Sequence, residues 1–284
     1  MPTLGFEEAV RHCAKIGFDS VELTVSEGWP TDVMTIGKDE PAQWKRILGD
    51  TGMVITSLTA NAPILVSNED WKVAKVRLER SLELAAELST DSHKLLPISL
   101  GAHRAAGDTP AGPTPFSEER WQLDRNQIIE RFAELSVMAK TIGARVALES
   151  HVGSVVSLPE RAAAVYEAVN HEAFGLNVDV SHFAVQGIPN SRVVDMLGKL
   201  AIVCEVKDQS GLFPDFKFQI PGEGNFDYAD FIGRMAAAGY DGSISVEISV
   251  LRQRLDGYDP HAAAVQSYAV LSKAFEAAGV MRSK

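Results

Sequence analysis

The chain has 284 residues, 45% hydrophobic and 23% charged, with a formal net charge of -11. That is enough apolar material for a large core, arranged as one α/β barrel or as two smaller domains. An acidic chain with no Lys/Arg cluster is a poor candidate for binding nucleic acid or an anionic membrane, and the absence of a long apolar run or a leader-like start argues against a membrane helix and makes a cytoplasmic location the expectation.

In chain order, the hydrophobic periodicity predicts a helix over Phe6–Gly17, a strand over Ser20–Val25, a helix over Pro41–Gly52 and a strand over Met53–Ala60. It continues with a helix over Trp71–Leu88, a strand over Leu95–Gly101, a helix over Asp124–Gly143 and a strand over Arg145–Ser150. The last part reads as a helix over Pro159–Val169, a strand over Gly175–Val180, a helix over Ser191–Leu197, a strand over Ile202–Asp208, a helix over Phe226–Gly239, a strand over Ile244–Ser249 and a helix over Pro260–Ala278. Such alternation means a parallel sheet with helices packed outside it, and no linker divides residues 1–284, which read as a single domain. A closed eight-fold barrel needs one more strand, before the helix at Phe6, where only five residues remain. The first strand is therefore expected to be missing or truncated by the start of the gene model, or its gap to be sealed in another way. Of the two cysteines, Cys13 falls on a helix and Cys204 in a strand, and both are expected as buried thiols. Two loops are long, from about Glu27 to Glu40 and from about His103 to Glu118, and both follow strands, where such loops cover substrate.

Four segments deliver a carboxylate at or near the end of an apolar run: Val-Ala-Leu-Glu149, Leu-Asn-Val-Asp179, Val-Cys-Glu205 and Ile-Ser-Val-Glu247. In a barrel of parallel strands such positions converge on one rim. Carboxylates forced together repel unless a cation sits among them or some stay protonated, so the pattern points to a divalent-metal site in an enzyme. His151 follows Glu149 by two residues and shares its face, while His182 lies just beyond Asp179. Asp179 reads equally as a helix cap. Glu247, between Val246 and Ile248, is costly as a bare charge. Glu205 and Lys207 share a strand face, so Glu205 either ligates metal or pairs with Lys207. His103 could touch substrate but reads better as a solvated loop residue, and Glu22 reads at least as well as a structural polar contact as a functional one; His93 and His171 say less.

The motifs Ala-Leu-Glu149-Ser-His151, Asn-Val-Asp179-Val-Ser-His182-Phe, Val-Lys207-Asp208, Pro221-Gly-Glu-Gly224 and Ala-Gly239-Tyr-Asp-Gly-Ser-Ile-Ser-Val-Glu247 resemble those of the xylose isomerase-like TIM-barrel superfamily, the sugar phosphate isomerases/epimerases. The resemblance runs from about Leu4 to Val280 and implies a (β/α)8 TIM barrel. It implies metal ligands at Glu149, Asp179 and Glu247, with Glu205 where the family usually has His. It also implies catalytic roles for Glu149 and Glu247, and substrate contacts from His151, His182 and Lys207. With oxygen ligands the expected divalent cation is Mn²⁺ or Mg²⁺, and Lys207 is expected to neutralise Glu205.

The implied reaction is isomerisation or epimerisation by proton transfer next to a carbonyl, through an enediolate. A lyase or dehydratase acting on 3-oxo-sugars or their C-glycosides, and a non-catalytic sugar-binding barrel, are the alternatives. No phosphate-cradling glycine loop stands out, which favours a neutral sugar or keto-sugar as the small-molecule partner. Homo-oligomers are common among such relatives.

Overall fold

The structure is a computed structural model in which residues 4–91, 93–105 and 117–282 are described. Helix α1 (Phe6–Ile16) leads into β1 (Ser20–Thr24), followed by α2 (Glu40–Thr51), β2 (Val54–Thr59), α3 (Asn68–Leu88) and β3 (Pro97–Gly101). Next come α4 (Glu118–Ile142), β4 (Arg145–Glu149), α5 (Pro159–Val169), β5 (Phe174–Asp179), the short α6 (Val180–Ala184), α7 (Asn190–Leu197) and β6 (Ala201–Val206). A small hairpin, β7 (Asp208–Ser210) and β8 (Lys217–Gln219), precedes α8 (Tyr228–Ala237), β9 (Ile244–Val246), α9 (Val250–Gln253) and α10 (Pro260–Ala278). Helix ends follow local chemistry. Gly17 closes α1 at φ 114°, where a side chain would be strained, and the Ser117 hydroxyl caps α4 by accepting from Arg120 N. The second long loop lies mostly outside the described residues, which resume at Ser117.

Seven parallel strands pair in the order β1-β2-β3-β4-β5-β6-β9, and the hairpin forms a separate two-stranded sheet. The result is a nearly closed α/β barrel. Outward-facing Ile98, Val146, Leu148, Leu176, Val178 and Val206 are buried against helix residues such as Leu78, Leu82, Phe132, Leu135 and Phe231. The hydrophobic layer therefore lies between sheet and helices, where parallel strands need both faces covered. The lumen is polar instead, carrying Ser99, Asn177, Glu205 and Lys207, all at most 3% exposed.

Among the described residues no strand joins β1 to β9, which are the two ends of the sheet order. A cavity of about 250 Å³ lies there, lined by Phe6 and Val10 of α1, Val21 and Leu23 of β1, and Ile244 and Val246 of β9. Ser20 Oγ and Ser243 Oγ bridge the two edges at 3.4 Å. The cost of the opening is visible in β9, which is only half-buried along its length while β5 is buried throughout.

Both cysteines are free, Cys204 buried and Cys13 half-buried. Among the described residues no helix is long and apolar enough to cross a membrane.

Candidate metal centre and active site

Strand register decides which carboxylates meet. Glu149 pairs with Asn177 between β4 and β5, Asp179 with Glu205 between β5 and β6, and Val206 with Val246 between β6 and β9. Glu149 and Asp179 end β4 and β5, Lys207 and Glu247 follow the last residues of β6 and β9, and these four side chains gather at the C-terminal rim, with Asn177 and Glu205 hydrogen-bonded to each other.

Glu149, Asp179, His182 and Glu247 each place one donor atom within 4.8 Å of the others. Glu149, His151 and His182 form a second, overlapping group by the same measure. Asp179 serves two roles at once: Oδ1 accepts from Ser181 N at 3.0 Å, capping α6, and Oδ2 faces the site. There it accepts from Lys207 Nζ, which also donates to Glu247 Oε2. Lys207 is 1% exposed. Burial opposes its charge, but Asp179 and Glu247 more than offset that and raise its pKa. The expected pairing of Lys207 with Glu205 is replaced by this bridge. Side chains at i and i+2 share a face, but the β6–β9 register sets Glu247 beside Lys207.

Glu205 stands outside both groups. Its Oε2 accepts from Asn177 Nδ2, which also donates to Ser99 Oγ at 2.8 Å. Burial first, then the charge of Glu22, pushes the Glu205 carboxyl well above the ordinary range. Glu22 is thus a lumen carboxylate, accepting from Thr59 Oγ1.

Glu149 has a different environment from Glu247. Burial, then the charges of Glu247 and Asp179, hold the Glu149 carboxyl well above its usual pKa. The imidazoles of His151, 3.2 Å away, and His182, 3.8 Å away, face it. Burial also raises Glu247, but the Lys207 ammonium opposes that rise. His151 and His182 are pushed well below the usual histidine range by burial, then by nearby cationic groups, so both rings are neutral at pH 7. Val152 N donates to His182 Nδ1 at 3.3 Å, which leaves the ring proton on Nε2, 3.5 Å from Asp179 Oδ2.

His103 departs from the solvated-loop expectation. Its ring meets His151 edge to face with centroids 4.5 Å apart. Gly101 makes room for both, because a Cβ there would overlap His103 Nε2 and come within 2.8 Å of His151 Nδ1. The Pro221-Gly-Glu-Gly224 motif has a structural role: buried Asp208 accepts from Gln209 N at 3.0 Å, Gly222 N at 2.8 Å and Phe226 N at 3.1 Å. That carboxylate holds the β7–β8 hairpin over the rim, where Phe218 meets His182 at 5.1 Å and lies 5.0 Å from Lys207 Nζ. Phe218 is the site residue that sequence reasoning missed, since nothing in Lys-Phe-Gln marks a hairpin.

The donor set fits a divalent cation. Three carboxylates at the ends of different strands supply hard oxygen ligands.

The model of the xylose isomerase-like TIM barrel family matches residues 10–274. A Streptomyces coelicolor protein provisionally named hydroxypyruvate isomerase is 27% identical over 241 residues, 82% of each chain. A xylose isomerase-like TIM barrel protein from Mycobacterium smegmatis, solved in complex with magnesium, superposes with a TM-score of 0.70 at 19% identity, over 96% of this chain and 89% of that one. The 3-keto-D-glucoside 4-epimerase of E. coli gives 0.71 at 19% identity, over 95% and 94%. Matched over nearly its whole length by that family's model, the chain belongs to the xylose isomerase-like TIM barrel family.

Proposed function

We propose that the protein is a divalent-metal-dependent sugar isomerase or epimerase that moves a proton at a carbon next to a carbonyl. The observation that carries this reading is the convergence of Glu149, Asp179, His182 and Glu247 at the C-terminal rim, where barrels of this kind place their chemistry. The names of the relatives, a hydroxypyruvate isomerase and a keto-glucoside epimerase, agree with it.

Glu149, Asp179 and Glu247 would hold the cation, with Mn²⁺ or Mg²⁺ favoured by their oxygen donors. When bound, such a cation polarises the substrate carbonyl and stabilises negative charge developing on its oxygen. The protein's own groups then divide the proton work. Glu247 carries the Lys207 ammonium, which favours its ionised form and suits it to take the proton from carbon. Glu149, the other rim glutamate, would return a proton to the substrate. His182 presents its Nε2 proton toward the same volume and orients a substrate hydroxyl, with neutral His151 beside it. Lys207 balances charge among the rim carboxylates. Glu205, held by Asn177, stands outside the ligand group.

Solvent deuterium exchange into a panel of ketoses tests the reading. Mn²⁺-loaded protein is expected to label at least one ketose next to its carbonyl, and Glu247→Gln to abolish that labelling. A panel left unlabelled at saturating Mn²⁺ contradicts it.

A further inference from the structure

Lys207 has a third contact besides its two carboxylate bonds. Its Nζ lies 5.0 Å from the centroid of the Phe218 ring, within cation–π range. The ring is held from two sides. It meets His182 edge to face at 5.1 Å, and its hairpin is anchored by Asp208, which accepts from Gln209 N, Gly222 N and Phe226 N. Phe218 itself is half-buried.

Charge balance gives this contact a purpose. Glu149, Asp179 and Glu247 bring three negative charges when ionised, and a divalent cation cancels two of them. The Lys207 ammonium cancels the third, so the loaded site is neutral while Lys207 stays charged and close by. Yet the cation needs the oxygens that Lys207 holds on Asp179 and Glu247. Lys207 is 1% exposed, so an ammonium released there finds no bulk water, and a buried charge without a partner is costly. Glu205, two residues back on the same strand face, already accepts from Asn177. The Phe218 face is in contact already, and it offers no oxygen for which ion and ammonium would compete.

We propose that Phe218 is a positioning residue for Lys207: its ring retains the ammonium when a divalent cation occupies the rim carboxylates, so that the ion and the lysine share the site. This deepens the metal-dependent reading and rests on its ligand set. In the metal-free protein the two carboxylates dominate Lys207 and the ring adds little. In the loaded protein the ring contact carries more, and that difference is what metal affinity senses.

Isothermal titration of Mn²⁺ into chelator-treated protein tests it. Phe218→Leu and Phe218→Met keep an apolar side chain of similar bulk but lose the π face, and each should bind Mn²⁺ about 5-fold more weakly. Phe218→Tyr keeps the face and should keep the affinity. In a Lys207→Met background, Phe218→Leu should change Mn²⁺ affinity by less than about 2-fold, since the coupling needs the ammonium. A ring with a merely structural role would cost the same in both backgrounds, and that result would overturn the proposal. So would a loss of affinity in Glu205→Gln with none in the Phe218 variants, which would give the ammonium to Glu205. Equal Mn²⁺ binding by wild type and the Phe218 variants sinks this proposal alone, whereas a wild type that binds no Mn²⁺ sinks the ligand set beneath it as well.

Discussion

Lys207 reaches across from the end of β6 to Glu247 beyond β9, placing an ammonium where the rim carboxylates would otherwise repel. Its second bond, to Asp179, makes Lys207 the internal cation of two of the three proposed ligands. Metal and Lys207 therefore compete for the same carboxylate charge.

Replacing this cation should separate stability from metal affinity. Lys207→Met leaves buried Asp179 and half-buried Glu247 without their cation, and the metal-free protein should lose stability, up to about 3 kcal/mol. Mn²⁺ should bind the variant more tightly than wild type, by about 10-fold, and rescue its melting temperature by a larger margin. Thermal melts across a Mn²⁺ series check both. Weaker binding in Lys207→Met would contradict the competition.

Glu205 provides a second separation. It accepts from Asn177, and after burial the charge of Glu22 acts on it ahead of the rim carboxylates. Glu205→Gln should leave Mn²⁺ affinity within about 3-fold while stabilising the fold, because an amide needs no ionisation in a buried setting. Calorimetric titration decides the point, and a loss well beyond 10-fold would make Glu205 a ligand.

The barrel's strands were legible because each is an apolar run closed by a polar residue, and the rim carboxylates with them, because strand ends in a parallel sheet share a level. Less local features were not. Lys207 and Glu205 look like partners along the strand, but the β6–β9 register gives Lys207 a different carboxylate. The β7–β8 hairpin is too short and too polar to carry a periodic signal, and the turn that seats it depends on Asp208, far from Gly222 and Phe226 in sequence. The one-turn helices α6 and α9 escaped for the same reason of length. His103 looked solvated because Gly101, which makes space for its ring, reads as an ordinary strand end.

Stability should depend on pH in a defined direction. The folded-state pKa of Glu149 is raised above its ordinary value of 4.5, and that of Glu205 likewise. Raised acids favour the folded state while protonated. Their contribution is full below about pH 4.5 and is lost as pH rises toward the raised folded values. Between pH 5 and 8 the metal-free melting temperature is therefore expected to fall relative to a Glu149→Gln, Glu205→Gln double variant. Saturating Mn²⁺ should flatten the wild-type curve, since ion binding favours the carboxylate form. Differential scanning fluorimetry over that range reads both trends, and parallel curves for wild type and variant would count against the assignment.

Both proposed proton carriers should be needed for turnover, with unequal side effects. Glu247→Gln and Glu149→Gln are each expected to slow deuterium labelling of a ketose by about 10²–10⁴-fold. Glu247→Gln also removes a partner of Lys207 and should lower the metal-free melting temperature, whereas Glu149→Gln should raise it. Opposite signs in the two melts, together with loss of labelling in both, is the expected result.

The central claim is that Glu149, Asp179 and Glu247 share one divalent cation, and anomalous diffraction from crystals soaked in Mn²⁺ tests it most directly. The account predicts a single strong peak with an oxygen of each carboxylate about 2.2 Å away, and Lys207 displaced from at least one of its two partners. A peak bound elsewhere, or Lys207 still bridging Asp179 and Glu247 with no ion between the three strands, would contradict it.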